Sequence, residues 1–511
     1  MSSLKTQIHD ATKPYMRREV ATWLATAGLA VAAAIATALL LSGCSSGITP
    51  KSQLIEPQSL KTDASFSDVP QSGAWPAHDW WTAYGDDQLN GLVTEALTGS
   101  PTLRAAEARL GRANAMLELA RGAAAPGLDA AASAQRDKFS ANYLYPPPLG
   151  GGIYTTTSLA INFSWDLDFW GRNRSAIEAA SSTANAAGAD RAAAELALAT
   201  SVTRAWFQLE RLYLLHDVID ASIRQRQDIL KLTNQRVSAG LDTNVELRQA
   251  EAALPQARLD LLQVEESMQL TRNQLAALIG AGPDRGLSIP RPAAKASTAL
   301  SLPENVPAEL VGRRPDIVAA RWRVEAARHD IDNAKAQFYP DVNLAASVGL
   351  LSLQNNLLLR AASQNSSFGP AISLPIFQES LRGNLRSRDA EYDAAVEDYN
   401  RIVIDSVKDV ADQIDSMRSI AAQQVEESDA LTKTEQAYSL ALQRYQAGLG
   451  NYLIVLTAET AVLQQRRADA ELKARVLDTN VQLVRALGGG FVIQPALAQS
   501  TNPLNPGVTH E

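Results

Sequence analysis

The chain has little of what most binding and catalytic sites are made from. Its 511 residues hold one cysteine, Cys44, so neither a disulfide framework nor a thiolate metal centre can be built. The five histidines, His9, His78, His216, His329 and His510, form no H-E-x-x-H or other closely spaced ligand set. No glycine-rich loop is followed by lysine. Gly150-Gly151-Gly152 sits beside Pro146–Pro148 and reads as a turn. The acidic pairs Asp86-Asp87 and Glu265-Glu266 have no evident cleft to perturb them and read as solvated faces. A formal net charge of -8 without a basic stripe leaves nucleic acid without a footprint. These absences exclude an enzyme, a metal protein and a nucleic-acid binder.

What is present begins with the position of the cysteine. Lys13, Arg17 and Arg18 precede an apolar run from about Ala21 to Leu41, which reads as an export signal. A membrane anchor is the alternative, since about 20 apolar residues can span. The run closes on Leu41-Ser42-Gly43-Cys44, similar to a bacterial lipoprotein signal; residues 1–43 would then be removed, and Cys44 would carry diacylglycerol and an N-acyl chain. Ser45 and Ser46, with no aspartate after the cysteine, resemble an outer-membrane sorting signal. Met16 offers a second plausible start.

The remaining chain is a duplication. Arg236-Val-Ser-Ala-Gly240-Leu241 aligns with Arg444-Tyr-Gln-Ala-Gly448-Leu449, and Gln274–Gly280 with Gln482–Gly488. In the first copy Leu247, Leu254, Leu261, Met268 and Leu275 recur every seventh residue, with Ala250, Ala257, Val264, Thr271 and Leu278 behind them. That spacing makes a seam for a long helical partner. Pro255 inside the seam predicts a kink and has Leu463 as its counterpart. Helices of about 65 residues are expected from Arg174 to Ala239 and from Leu385 to Ala447, with His216 at a packed seam position.

Each copy also carries a change of period. After Pro126 and after Pro340 the pattern alternates every second residue, predicting strands at about 128–140, 156–167, 341–353 and 366–377. Pro375 argues against a continuous strand at the end of the fourth. The expected domains are a tether and equatorial segment at 44–88, a first repeat at 89–280, a linker at 281–306, a second repeat at 307–488 and a flexible tail at 489–511. The tether is expected to pack little, and Trp75, Trp80, Trp81 and Tyr84 to form an apolar lid. Four membrane strands cannot close a barrel alone, so the chain must oligomerise if they enter lipid. Three copies would supply twelve strands, and their helices a hollow cylinder.

Six separated motifs then resemble one family. They are Trp165–Arg172, Arg313-Arg314-Pro315-Asp316-Ile317, the run to Phe338-Tyr339-Pro340, Ser373–Phe377, Arg444–Gly448 and Leu487–Gly490. In this order they resemble the TolC-like outer-membrane factor family, specifically its OprM/NodT lipoprotein branch. The resemblance implies a mostly α, internally duplicated chain that forms a homotrimer. Its twelve-stranded outer-membrane β-barrel would be continuous with a long periplasmic α-helical barrel. It implies a passive efflux duct working with a periplasmic membrane-fusion adaptor and an inner-membrane transporter of the resistance-nodulation-division type, without a cofactor. Carried over by position, Arg236, Gly240, Leu241, Arg444, Gly448 and Leu449 would form the adaptor-docking tips, and Leu453, Ile454 and Thr457 the aperture. Related channels commonly have an acid at the position of Thr457; here any carboxylate would come from Glu459 or be absent. A type I protein-secretion duct uses the same tube, and a non-conducting periplasmic scaffold is the remaining alternative.

Overall fold

The computed structural model describes residues 51–66, 73–293 apart from Tyr143 and Tyr145, Pro303, 306–353 and 357–492. The expected signal, Cys44, part of the linker and most of the tail lie outside these residues. Two compact units are formed: one holds residues 124–174 and 331–391, the other residues 52–123, 175–330 and the chain from 392 onward. Among the described residues, no helix is long and apolar enough to cross a membrane.

The first unit is a four-stranded antiparallel sheet in sequence order: β1 (Gly127–Lys138), β2 (Ile153–Asp166), β3 (Asp341–Ser352) and β4 (Gln364–Ser373). Its register sorts the side chains by face. Leu128, Ala130 and Ala132 lie opposite Phe163, Ile161 and Leu159. These in turn meet Ala346, Val348 and Leu350, and the row Trp165, Leu344, Pro370 completes an apolar face. The alternate residues are mostly polar or small: Asn162 Nδ2 donates to Asp129 Oδ2 at 3.0 Å, and the Ser133–Ser158 and Ser347–Ser367 hydroxyl pairs sit at 2.7 and 2.9 Å. Large apolar side chains stand open on the apolar face, with Leu128 72% and Phe368 77% exposed. A face of this kind requires a non-aqueous neighbour. β1 and β4 each keep one edge unpaired within the chain.

Two strand ends differ from the sequence reading for local reasons. β2 starts at Ile153 because Phe139 N donates to Gly152 O at 3.0 Å and Gly151 N to Phe139 O at 2.9 Å, carrying the pairing up to the turn. β4 stops at Ser373, ahead of Pro375, which has no amide to continue a ladder.

The second unit is helical and shows the duplication as structure. Helices α1 (Asp87–Gly99), α2 (Pro101–Ala124), α3 (Arg172–Ser238) and α4 (Asn244–Leu278) belong to the first copy. Their counterparts are α5 (Val306–Arg313), α6 (Pro315–Ala336), α7 (Glu379–Gln446) and α8 (Tyr452–Ala486). At 67 residues, α3 extends about 100 Å. α4 runs through Pro255 without terminating. Its seam residues Leu254, Ala257, Leu261 and Val264 pack on Ile219 and Ile223 of α3. His216 is partly exposed, its Nε2 3.9 Å from Glu265. Two glycines close the copies equivalently: Gly280 has φ +80° and a Cβ there would lie 2.4 Å from Gly99 O, while Gly488 has φ +89° and a Cβ would lie 2.0 Å from Arg313 O. Neither position has room for a side chain.

The largest core gathers Trp80, Trp81, Tyr84, Leu89, Trp206, Phe207 and Leu275, so three of the four aromatics expected as a lid are core members, while Trp75 packs on a second core with Ile317 and Val396, under the Arg313 guanidinium at 4.6 Å. Asp86, expected on a solvated face, is instead 4% exposed: it caps α1 by accepting from Gln88 N and Leu89 N, and also accepts from Trp206 Nε1 and Ala293 N. The segment expected to be a loose tether is instead docked. Ser52 N donates to Asp393 Oδ1 at 2.9 Å, Ile55 N to Asn400 Oδ1 at 2.8 Å, and Phe66 is buried with Val306, Leu310 and Tyr399. Its few apolar residues carry the packing, and side chains of α7 satisfy its backbone, a pairing that local composition does not announce.

Glu210 of α3 lies beside Asp86, and burial together with that charge pushes its carboxyl up to about 7, against the opposing effect of Arg291. A carboxyl raised above its unfolded value stabilises the fold while protonated. That contribution is complete below about pH 4.5 and is lost as pH rises through about 7. Thermal melts should therefore show a lower Tm at pH 8 than at pH 5, and Glu210→Gln should flatten the difference.

Candidate functional site

The site is built where α3 turns into α4 and α7 into α8. Each turn ends its first helix with a left-handed glycine, Gly240 at φ +71° and Gly448 at φ +75°. Leu241 N donates to Arg236 O at 2.9 Å and Gly240 N to Val237 O at 3.0 Å; the second copy repeats this with Leu449 N to Arg444 O at 2.8 Å and Gly448 N to Tyr445 O at 3.1 Å. These bonds form the Schellman motif, which satisfies the terminal carbonyls and fixes a sharp reversal. The next helix starts on a capping residue: Thr243 with Glu246 in a capping box, and Asn451 accepting from Ile454 N at 3.2 Å. Leu241 and Leu449 are left exposed at the two tips.

The copies differ in what locks them. Arg236, assigned to the docking surface from the sequence, is turned inward and only 8% exposed. Its Nε donates to Asp242 Oδ2 at 2.9 Å, its Nη2 to Asp242 Oδ1 at 3.2 Å and its Nη1 to Tyr445 O at 2.9 Å. The guanidinium lies 4.5 Å from the Tyr445 ring centre. Tyr445 Oη donates to Asp242 Oδ2 at 2.5 Å, so three residues tie the first turn to the last turn of α7. The Arg236 hydrogen bonds hold the Asp242 carboxyl below its ordinary range, burial opposing them. Arg444 is exposed, so the second turn has no equivalent lock.

A second buried pair lies deeper. Glu459, considered from the sequence as a source of aperture charge, is only 3% exposed. Arg226 Nε donates to Glu459 Oε1 at 2.8 Å, while Arg226 Nη1 donates to Ala253 O at 2.7 Å. Glu459 therefore supplies no free carboxylate. Around it, burial and its charge push the Tyr438 and Tyr452 hydroxyls up to about 12. Tyr445, Tyr452, Val455, Ile229, Ala250 and Ala441 fill the small core between the pairs.

The residues assigned to the aperture lie together on α8 and face outward. Leu453 is 57% and Ile454 55% exposed, while Thr457 is exposed and returns its hydroxyl to Leu453 O at 2.8 Å. Thr460 and Gln464 continue the stripe, which carries no charge. Sequence reading missed Asp242, Tyr445 and Arg226. The signal lay in comparing the copies: Asp242 aligns with Gly450, and Tyr445 with Val237.

No group of three or more potential metal ligands occurs among the described residues. The arrangement holds and turns helices. These turns and the two-faced sheet are of a kind that fits a transport channel component.

Comparison with known proteins agrees. The family model described as outer membrane efflux protein matches residues 92–281 and 306–489, one match for each copy. Multidrug resistance outer membrane protein MdtP of Escherichia coli (strain K12) is 32% identical over 480 residues, covering 90% of this chain and 96% of that protein. Fusaric acid resistance protein FusA of Burkholderia cepacia is 37% identical over 384 residues, covering 74% and 72%. Among solved structures, the outer membrane protein VceC of Vibrio cholerae superposes with a TM-score of 0.78 at 39% identity, covering 82% of this chain and 100% of that one. The outer-membrane channel OprN gives a TM-score of 0.79 at 26% identity, covering 87% and 99%. The chain belongs to the outer membrane efflux protein family. It is an outer-membrane transport protein of Gram-negative type, and not an enzyme.

Replacing Asp242 with Asn should weaken the first turn by about 2–3 kcal/mol, the cost of leaving the buried Arg236 guanidinium poorly paired. Amide hydrogen exchange should quicken over residues 236–250 and stay unchanged in the sheet. Because the Asp242 carboxyl is held below its ordinary value of 3.8, its contribution persists above that value and is lost as pH falls below it. Protection factors of the same amides, taken relative to the intrinsic exchange rate at each pH, should thus be steady from pH 7 to pH 5 and fall only near pH 3.

Proposed function

We propose that three copies of this chain form the exit channel of a tripartite efflux pump, passing small toxic molecules from an inner-membrane transporter and a periplasmic adaptor to the exterior. The observation that carries the reading is the sheet with one apolar face, one polar face and two open edges. In lipid those edges must be paired, and three four-stranded sheets closing on one another leave none. The polar face then lines a lumen, and the apolar face meets the bilayer. The resistance named in MdtP and FusA supports small molecules as cargo over secreted protein. Lipidation of Cys44 would add an anchor to the same membrane.

The aperture is assigned to Leu453, Ile454 and Thr457 at the start of α8. Its neighbours Tyr452 and Val455 are buried, which fixes the helix and leaves this stripe to meet its copies about the three-fold axis. Closure is apolar and hydroxyl-lined, with no buried like charges to separate. The Arg236–Asp242–Tyr445 lock holds the turns in the closed arrangement, and the exposed Leu241 and Leu449 with Gly240, Gly448 and Arg444 form the adaptor-docking tips. Opening requires an adaptor to offset the lock.

Single-channel recording of purified trimers in a planar bilayer tests this directly. Wild type should conduct poorly, and Leu453→Ala with Thr457→Ala should raise the open current several-fold. Trivalent cations should not block the wild-type channel, whereas Thr457→Asp should introduce such a block by placing three carboxylates at one level. Failure to insert, or a block in wild type equal to that in Thr457→Asp, contradicts the assignment.

A further inference from the structure

We propose that Arg136 and Lys138 bind the phosphates of an anionic glycolipid in the outer leaflet of the membrane, an inference that rests on the strands spanning that membrane. The apolar face of the sheet ends along one row of the register, Ala132–Leu159–Leu350. The next row on the same face is Ala134–Thr157–Ser352, then Arg136 lies opposite Thr155, and Lys138 lies opposite Ile153. At about 3.3 Å per residue, the two cations stand roughly 7 and 13 Å beyond Ala134, at headgroup depth and not among acyl chains.

Both side chains are exposed, and neither has an ion pair or hydrogen bond among the described residues. The acid between them is elsewhere: Asp137 belongs to the polar face, where Gln135 Nε2 donates to its Oδ1 at 2.9 Å. The cations therefore face the lipid side uncompensated. The opposite margin of the sheet has a different chemistry. There Trp170 stacks on Tyr339 with centroids 4.6 Å apart and donates through Nε1 to Pro340 O at 2.9 Å, close to Trp165 in the chain. Aromatic margins suit a neutral interface, and cationic margins suit phosphate. The two cations, one pleat apart at about 7 Å, match a headgroup with more than one phosphate better than a single phosphodiester.

The test uses the full chain purified as a trimer in mild detergent, with native mass spectrometry reading bound lipid during titration. Wild type should bind bisphosphorylated lipid A, and the Arg136→Gln/Lys138→Gln double variant should bind it about 30-fold more weakly, corresponding to about 1 kcal/mol per cation. The charge-keeping pair Arg136→Lys/Lys138→Arg should retain most of the affinity. Phosphatidylglycerol should bind more weakly than lipid A, and millimolar inorganic phosphate should not displace it. Equal binding by the glutamine variant, equal binding of phosphatidylglycerol, or displacement by free phosphate overturns the inference. Trimer mass and bilayer conductance on the same samples test the channel separately: conducting trimers without a lipid A preference overturn this inference alone, and chains that neither trimerise nor insert overturn both.

Discussion

Backbone amides and carbonyls cannot be left unpaired in hydrocarbon, and this constraint governs the whole chain. A four-stranded sheet satisfies only its inner ladders, so the outer rows of β1 and β4 make a single copy incomplete in lipid. The helices inherit the requirement. Whatever symmetry closes the strands also sets how many copies of α3, α4, α7 and α8 surround the axis. In the proposed channel, conduction is a property of the assembly, and each chain contributes one part of the wall.

Within that wall the duplication does more than double the mass. The two turns share glycine geometry and backbone bonding almost atom for atom. They diverge only in side chains: Asp242 and Tyr445 have no equivalents at Gly450 and Val237. One charged lock thereby joins the two turns, with its acid from the first copy and its tyrosine from the second.

Much of this was legible from residue order. Period-two alternation after Pro126 and Pro340 located the sheet, and the seven-residue spacing from Leu247 to Leu275 located a packed seam, because both patterns come from the geometry of single elements. What could not be read were partnerships between distant residues. Arg236 looked like a tip residue because its position was right, but its side chain turns toward Tyr445, 209 residues away. Glu459 looked available until Arg226 proved to be its partner, 233 residues earlier. The docked leader was missed for the same reason. Local pattern gives the direction a side chain leaves its helix, while its occupant across the interface depends on a fold that only the whole chain specifies.

The docked leader also sets an order of events. Ser52 and Ile55 are satisfied by Asp393 and Asn400, 341 and 345 residues later, so the earliest described segment has no seat until the second long helix exists. The segment around Ser52 and Ile55 therefore settles late, through a contact of very long loop closure. A chain truncated before α7 would leave the backbone at Ser52 and Ile55 without Asp393 and Asn400, and Phe66 without Tyr399. Seating of the leader thus acts as a check on completeness: only a chain carried through its second repeat can fold its own beginning.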